Sequence, residues 1–393
     1  MKILIFFCCL EILGINILTT QAAEESKLLM AKVIFRNGKQ TPPEKAELDK
    51  LIENIKSNNK KQFDMQPFKM EDLTEEGKLD MYNLGIKIRR WYKNSLFNNQ
   101  DLQDDKIKIE SISQESCKKS ASLVKEGLLK KEYKKNLTTN KNAIPLAHDS
   151  ISQIYGNGTC QPFKEMLKDV EHDFLKFRPF NNTRETLGNN IGLEKPKNPY
   201  LLLSYDPIKP QYMWKIHEYF QAQRFGGKPL DDWLTESLML DMKESSKLFV
   251  ASLFQYTYAK KISAGAYTNS ILEEFRKIKT NQNGQPPLQL LCADELIVAA
   301  AIAVLTKPEN NICGSKFDMV VPKHGTALIV ELHKSQDQHF VKVLHWNSNA
   351  DEPKEIKYKS CQNGCTFENF EKMLKETITS YDDDDFDECG IPI

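Results

Sequence analysis

Two polar strings stand at places where chemistry could be positioned. Residues 28–35 (LLMAKVIF) form a short apolar run that ends in Arg36-Asn37-Gly38-Lys39-Gln40-Thr41-Pro42-Pro43. A second apolar run, 288–292, leads into Ala293-Asp294-Glu295 and then into 296–305 (LIVAAAIAVL). Each is a polar turn directly after a buried strand. In open α/β sheets, loops at the carboxyl ends of strands form the ligand crevice. Cysteine supplies the other reactive groups. Cys361 and Cys365 close a short loop containing Asn363-Gly364. No second cysteine or histidine pair has the spacing that a metal site requires, so no metal and no cofactor are expected.

The elements that must position these strings can be read from periodicity. Residues 73–92 are helical, with Thr74 as N-cap and Glu75 and Glu76 in the first turn, where they suit the helix dipole. Leu79, Tyr82 and Ile86 share one face of that helix, extended by Leu84, Ile88 and Trp91. Residues 106–111 alternate like a strand, and 117–129 return to helical spacing. Helical patterns recur at 236–258 and 263–279. Residues 326–332 and 340–346 alternate around a polar turn, a β-hairpin pattern. His324, His333, His339 and His345 lie in or beside the hairpin, mostly at alternating exposed positions. Residues 150–235 are rich in Pro, Asn, Gly and aromatics without strand periodicity, which suggests a separate lobe of short helices.

The chain has 393 residues, 40% of them hydrophobic, enough for a large core. Lys plus Arg equals Asp plus Glu, at 54 each. That balance gives no electrostatic case for a nucleic-acid or membrane partner. Lys2, an apolar run broken by Glu11, and small residues at Thr20-Gln21-Ala22-Ala23 read as an export signal over 1–23; the alternative is a membrane anchor. Sequons at Asn136, Asn157 and Asn181 fit an exported glycoprotein. Of nine cysteines, Cys8 and Cys9 leave with the signal. The odd remainder leaves at least one thiol free or intermolecular in an oxidising compartment. The acidic run 382–388 reads as a solvated tail.

The string VIFRNGKQTP at 33–42 resembles the signature of the histidine acid phosphatases, in which a strand runs into Arg-His-Gly-x-Arg-x-Pro. Further segments match in the same order: 73–77 with 84–85 and 88–89, 144–148 (IPLAH), 269–271, 291–294 (LCAD) and 327–333 (ALIVELH). The resemblance spans nearly the whole exported chain and is similar in kind to insect secreted and venom acid phosphatases. It implies an α/β fold: a mixed sheet with helices on both faces, built from 24–149 and 236–393, with 150–235 as an inserted, mostly helical cap.

In that family a histidine attacks phosphorus, arginines and a second histidine hold the phosphate oxygens, and an aspartate protonates the leaving oxygen. Carried over by position, Arg36 matches the first phosphate-binding arginine and Asp294 the proton donor. Asn37 stands at the nucleophile, and its amide nitrogen has no available lone pair. Gln40 replaces the second arginine, Ser116 falls at the third, and Ala293 stands for the second histidine. Loss of a nucleophile alone costs about 10⁶ in rate where it has been measured. Cys117 and Cys292 could in principle attack phosphorus, but neither is followed by the arginine that a thiol phosphatase uses. The resemblance implies disulfides Cys160–Cys389 and Cys361–Cys365; separately, the places of Cys117 and Cys292 beside two substituted catalytic positions make them a candidate pair across the old pocket, which leaves Cys313 as the odd thiol.

The expected function is therefore a secreted phosphatase-like protein without turnover, which binds a ligand (phosphate-bearing or another small molecule) in a venom, saliva or similar secretion. The alternatives are a weakly active acid phosphatase and a structural component of the secretion. A homodimer is an arrangement the family often adopts.

Overall fold

The computed structural model describes residues 26–56, 72–99, 102–133, 161–175, 180–193, 208–282, 284–306, 321–358, 361 and 364–378. The expected export signal, Asn136, Asn157, Cys160, Cys313, Cys389, the segment 144–148 and the acidic run 382–388 lie outside them.

Seven strands form one mixed sheet among the described residues, in the order β2-β3-β1-β4-β5-β6 with β7 paired to β5. β1 (Lys27–Arg36) lies between β3 (Leu288–Ala293), parallel to it, and β4 (Ala327–Ser335), antiparallel. β2 (Ile107–Ser111) is parallel to β3 on its far side. β5 (Gln338–Trp346), β6 (Lys354–Ile356) and β7 (Cys365–Thr366) extend the antiparallel half. β1 and β4 are buried at consecutive positions for most of their length. A strand can bury consecutive side chains only if both faces of the sheet are covered. The hairpin turn is tighter than its polar run of 334–338 suggests. β4 continues to Ser335, which leaves Gln336 and Asp337 at the turn, with Gln336 at φ 50°.

The described helices are α1 (Lys45–Lys56), α2 (Glu75–Tyr92), α3 (Glu115–Leu128), α4 (Gln161–Leu175), α5 (Asn181–Asn190), α6 (Pro210–Phe225), α7 (Glu236–Leu253), α8 (Thr257–Lys279), α9 (Glu295–Thr306) and α10 (Phe367–Ile378). Thr74 caps α2 by accepting from the Gly77 N–H, as the sequence suggested. The face of α2 matches the expected one in part. Leu84 and Ile88 are buried as expected, together with Met81, Gly85 and Tyr92, whereas Leu79 and Trp91 are exposed, Leu79 to 44%. Amphipathicity misled at Leu79 because α2 packs on α3 through glycines, at Gly85 and Gly127, and a glycine carries no apolar signal.

Two apolar cores result. The larger joins the sheet to α2, α3, α4, the carboxyl-terminal part of α7 (Phe249, Val250 and Leu253), α8, α9 and α10. The smaller is built by α5 and α6 together with Leu48, Leu51 and Ile55 of α1 and Leu238, Met239 and Met242 of α7. The helical region after residue 150 therefore shares its core with elements on either side of it in the chain. Trp214 of α6 faces the larger core instead, so α6 bridges the two.

Candidate active site

The carboxyl ends of β1, β2 and β3 converge because the three run parallel and in register. Arg36 pairs with Ala293, and Ser111 with Cys292. The next residues of each chain segment form a cleft lined by Arg36, Asn37, Gln40, Gln114, Asp294, Glu295 and Leu296, with Trp214 and Glu218 arriving from α6. The sequence-derived residues Arg36, Asn37, Gln40 and Asp294 are thus brought together. Ala293 is fully buried in the strand, and Ser116 is buried within α3 rather than in the lining.

The loop 37–40 is fixed from several sides. The Asn37 N–H donates to the Ala293 carbonyl at 3.2 Å, and the Gly38 N–H donates to Ser120 Oγ at 3.1 Å. The Asn37 amide donates to the Gly38 carbonyl at 3.1 Å, so it serves the turn rather than the cleft. Gln40 makes an isolated antiparallel bridge to Leu73.

Arg36 is answered from within the protein. Its Nη2 lies 2.5 Å from Glu295 Oε2 and 4.0 Å from Glu218, and its Nη1 donates to the Pro322 carbonyl at 2.5 Å. The Arg36 and Glu295 side chains are each 6% exposed. The second oxygen of Glu295 accepts the Trp214 indole N–H at 2.9 Å. A buried arginine without a carboxylate would be costly, and Glu295 removes that cost. Glu295 can do so because it opens α9, whose next ten residues are apolar and hold it against the sheet.

Asp294 acts as the helix cap. Its Oδ1 accepts the Ile297 N–H at 2.9 Å, and its Oδ2 accepts Gln114 Nε2 at 3.2 Å. His324, which the sequence placed among exposed histidines, packs against Arg36 instead. Its Nδ1 lies 3.0 Å from the Asn37 carbonyl and its Nε2 3.5 Å from Arg36 Nη2. A carbonyl and a guanidinium on opposite sides place the ring proton on Nδ1. Burial, with the Arg36 charge second, holds His324 well below the usual histidine range, so the ring is neutral. His217 is likewise lowered to about 4 by burial, then by Lys243 and Arg36. His333 also departs from the exposed reading: it is buried, with Nε2 2.8 Å from Glu331.

Glu218 is pushed up to about 8, by burial first and by Glu295 second. One of its buried oxygens has no hydrogen-bond partner. The lining therefore contains one cation, Arg36, against the carboxylates of Asp294 and Glu295, with the Glu218 carboxyl protonated below about pH 8. The cleft is also narrow, a cavity of about 20 Å³, on the scale of one water molecule. Chemically, such a site offers carboxylates to a ligand and no free cationic cradle.

Glu218, Gln114 and Trp214 were not singled out in the sequence, and Glu295 and His324 were named there without a role in the site. A lone glutamate at the head of the apolar run 296–305 was the one visible signal. Cys361 and Cys365 form a disulfide. Cys117 and Cys292 are buried free thiols in contact with each other, not a closed pair. Asn181 is exposed at the start of α5, whereas the Thr183 of its sequon is buried and donates to Asp241 at 3.0 Å.

Comparison with known proteins places this cleft in context. Residues 27–345 match the model of the histidine phosphatase superfamily (branch 2). The chain is 24% identical over 342 residues to acid phosphatase-like protein XcAP-2 of Xenopsylla cheopis, covering 82% of this chain and 85% of that one. It is 21% identical to venom acid phosphatase Acph-1 of Apis mellifera, covering 93% and 89%. Among solved structures, the phytase of Klebsiella sp. ASR1 superposes with a TM-score of 0.59 at 12% identity, covering 94% of this chain and 98% of that one. That likeness concerns the fold.

Proposed function

The chain belongs to branch 2 of the histidine phosphatase superfamily, and from that premise we propose that it is a secreted member that binds rather than hydrolyses. The observation that carries this reading is the Arg36–Glu295 pair. A phosphate monoester entering the cleft would have to displace a buried carboxylate from the guanidinium and then sit beside Asp294 and Glu218. With Asn37 at the nucleophile position, no imidazole is available there to receive the phosphoryl group. Gln40 and Ala293 add no positive charge, and the neutral His324 and His217 add none either. The charge set favours a ligand group that is cationic or neutral over a phosphate.

Secretion rests on the export signal read at 1–23 and on the venom acid phosphatase among the relatives. A second reading, a structural component of a secretion, is favoured by the narrowness of the cleft.

The test is hydrolysis of p-nitrophenyl phosphate from about pH 4 to 7, beside the Asn37→His variant. The proposal expects both proteins at the buffer rate. Turnover by the unaltered chain that disappears in Asp294→Ala would establish a weakly active phosphatase instead.

A further inference from the structure

We propose that Cys117 and Cys292 close to a disulfide that ties α3 to β3 beneath the cleft. The two residues are far apart in sequence, yet Cys292 pairs with Ser111 in the sheet, the Ile112 N–H donates to the Cys292 carbonyl, α3 packs on β3, and both cysteine side chains are wholly buried at that junction. Cys292 ends the apolar part of β3, two residues before Asp294, and Cys117 lies in the first turn of α3. No other cysteine among the described residues competes, because Cys361 and Cys365 are already joined.

The chemistry balances by thiol–disulfide exchange. Two S–H bonds break and one S–S bond forms. The two electrons and two protons pass to a disulfide oxidant of the secretory compartment, which is cleaved to two thiols. Burial raises the Cys117 thiol well above its ordinary range, so the attacking thiolate is scarce once α3 has docked. Exchange therefore belongs to the folding chain, before docking shields the pair. Once formed, the bond is protected by the same burial.

The bond has a consequence for the cleft. Cys117 Sγ is 3.9 Å from Gln114 Oε1 as a weak donor, and Gln114 Nε2 donates to Asp294 at 3.2 Å. Oxidation removes the S–H, and Gln114 is then held at this end by Asp294 alone. The redox state of the pair thus reaches a lining residue through a single side chain.

The experiment uses the full chain secreted from an oxidising host. It is denatured with iodoacetamide and no reductant, digested, and mapped by mass spectrometry. The expected result is a linked peptide containing Cys117 and Cys292. Separate alkylation of both thiols, or pairing of either with another cysteine, would overturn the proposal. Reduction should also lower the melting temperature by on the order of 5 °C, and Cys117→Ala/Cys292→Ala should lose that response while keeping Cys361–Cys365. If the double variant does not fold, the map of the unaltered chain decides alone.

Discussion

Glu295 Oε2 lies 2.5 Å from Arg36 Nη2, while its other oxygen accepts the Trp214 indole N–H at 2.9 Å. One carboxylate therefore joins the end of β1, the start of α9 and the N-terminal part of α6. The arginine best placed to meet a substrate anion is instead part of the scaffold. What the family resemblance presents as a kept binding residue is physically a buried ion pair with hydrogen bonds on both partners.

That pair makes a stability prediction. Glu295→Ala leaves the Arg36 guanidinium buried beside Glu218 and the Trp214 N–H without its acceptor. Removing one partner of a buried pair typically costs about 3–5 kcal/mol. Urea unfolding should show a loss of that size with an unchanged slope. A loss under about 1 kcal/mol would mean that water or Glu218 takes over, and that the pair is not a structural centre.

The same pair predicts anion affinity. Calorimetric titration with orthophosphate should give no heat of binding for the unaltered chain at millimolar concentration. Glu295→Gln keeps an acceptor for Trp214 but removes the charge that neutralises Arg36. Charge-assisted bonds contribute roughly 1.5–3 kcal/mol each, so the variant should bind phosphate about tenfold or more tightly than the parent. Equal behaviour of the two would place the barrier in the narrowness of the cleft rather than in its charge.

Glu218 predicts a pH dependence. Its carboxyl is raised from 4.5 to about 8 by burial and then by Glu295. In this window the folded protein holds a proton that the unfolded chain has released. Stability from this group is thus fully present below about pH 4.5 and declines as pH rises through 8, by about 1.4 kcal/mol per pH unit at most. Glu218→Gln should flatten that decline, read as melting temperature from pH 5 to 8. A parallel profile for parent and variant would show that Glu218 is ionised throughout.

Much of the fold was legible because strands and helices advertise their burial. The runs 28–35, 288–292 and 296–305 are apolar but for Lys32 and Gln289, and each became a buried element. The cleft was legible only in part. Arg36, Asn37, Gln40 and Asp294 stand next to strands, where local sequence places them. Glu218 and Trp214 come from α6, whose arrival over the sheet is a tertiary event that no local pattern records. His324 looked like a hairpin histidine because its partner, Arg36, is 288 positions away. The smaller core hid for a similar reason: it gathers α1 and α7 with α5 and α6, and no single segment carries that grouping.

The position of Asn37 depends on a contact between two backbones, and this gives a last prediction. A Cβ placed on Gly38 would come within 2.7 Å of the Gly77 carbonyl oxygen and 3.0 Å of the Met81 side chain. The loop and the first turn of α2 therefore meet with no room for a methyl group. The Gly38 N–H is also fixed on Ser120 Oγ, so the loop has no free direction in which to yield. Gly38→Ala should cost about 1–3 kcal/mol, the usual range for overpacking. Ser120→Ala leaves the steric contact intact and removes two hydrogen bonds, the one accepted from the Gly38 N–H and the one donated to the Ser116 carbonyl, a loss of about 1–2 kcal/mol. Denaturant unfolding of the two variants separates the effects. Should Gly38→Ala prove harmless, the loop can slide on α2, and the placement of Asn37 in the cleft would rest on its bond to Ala293 rather than on this close approach.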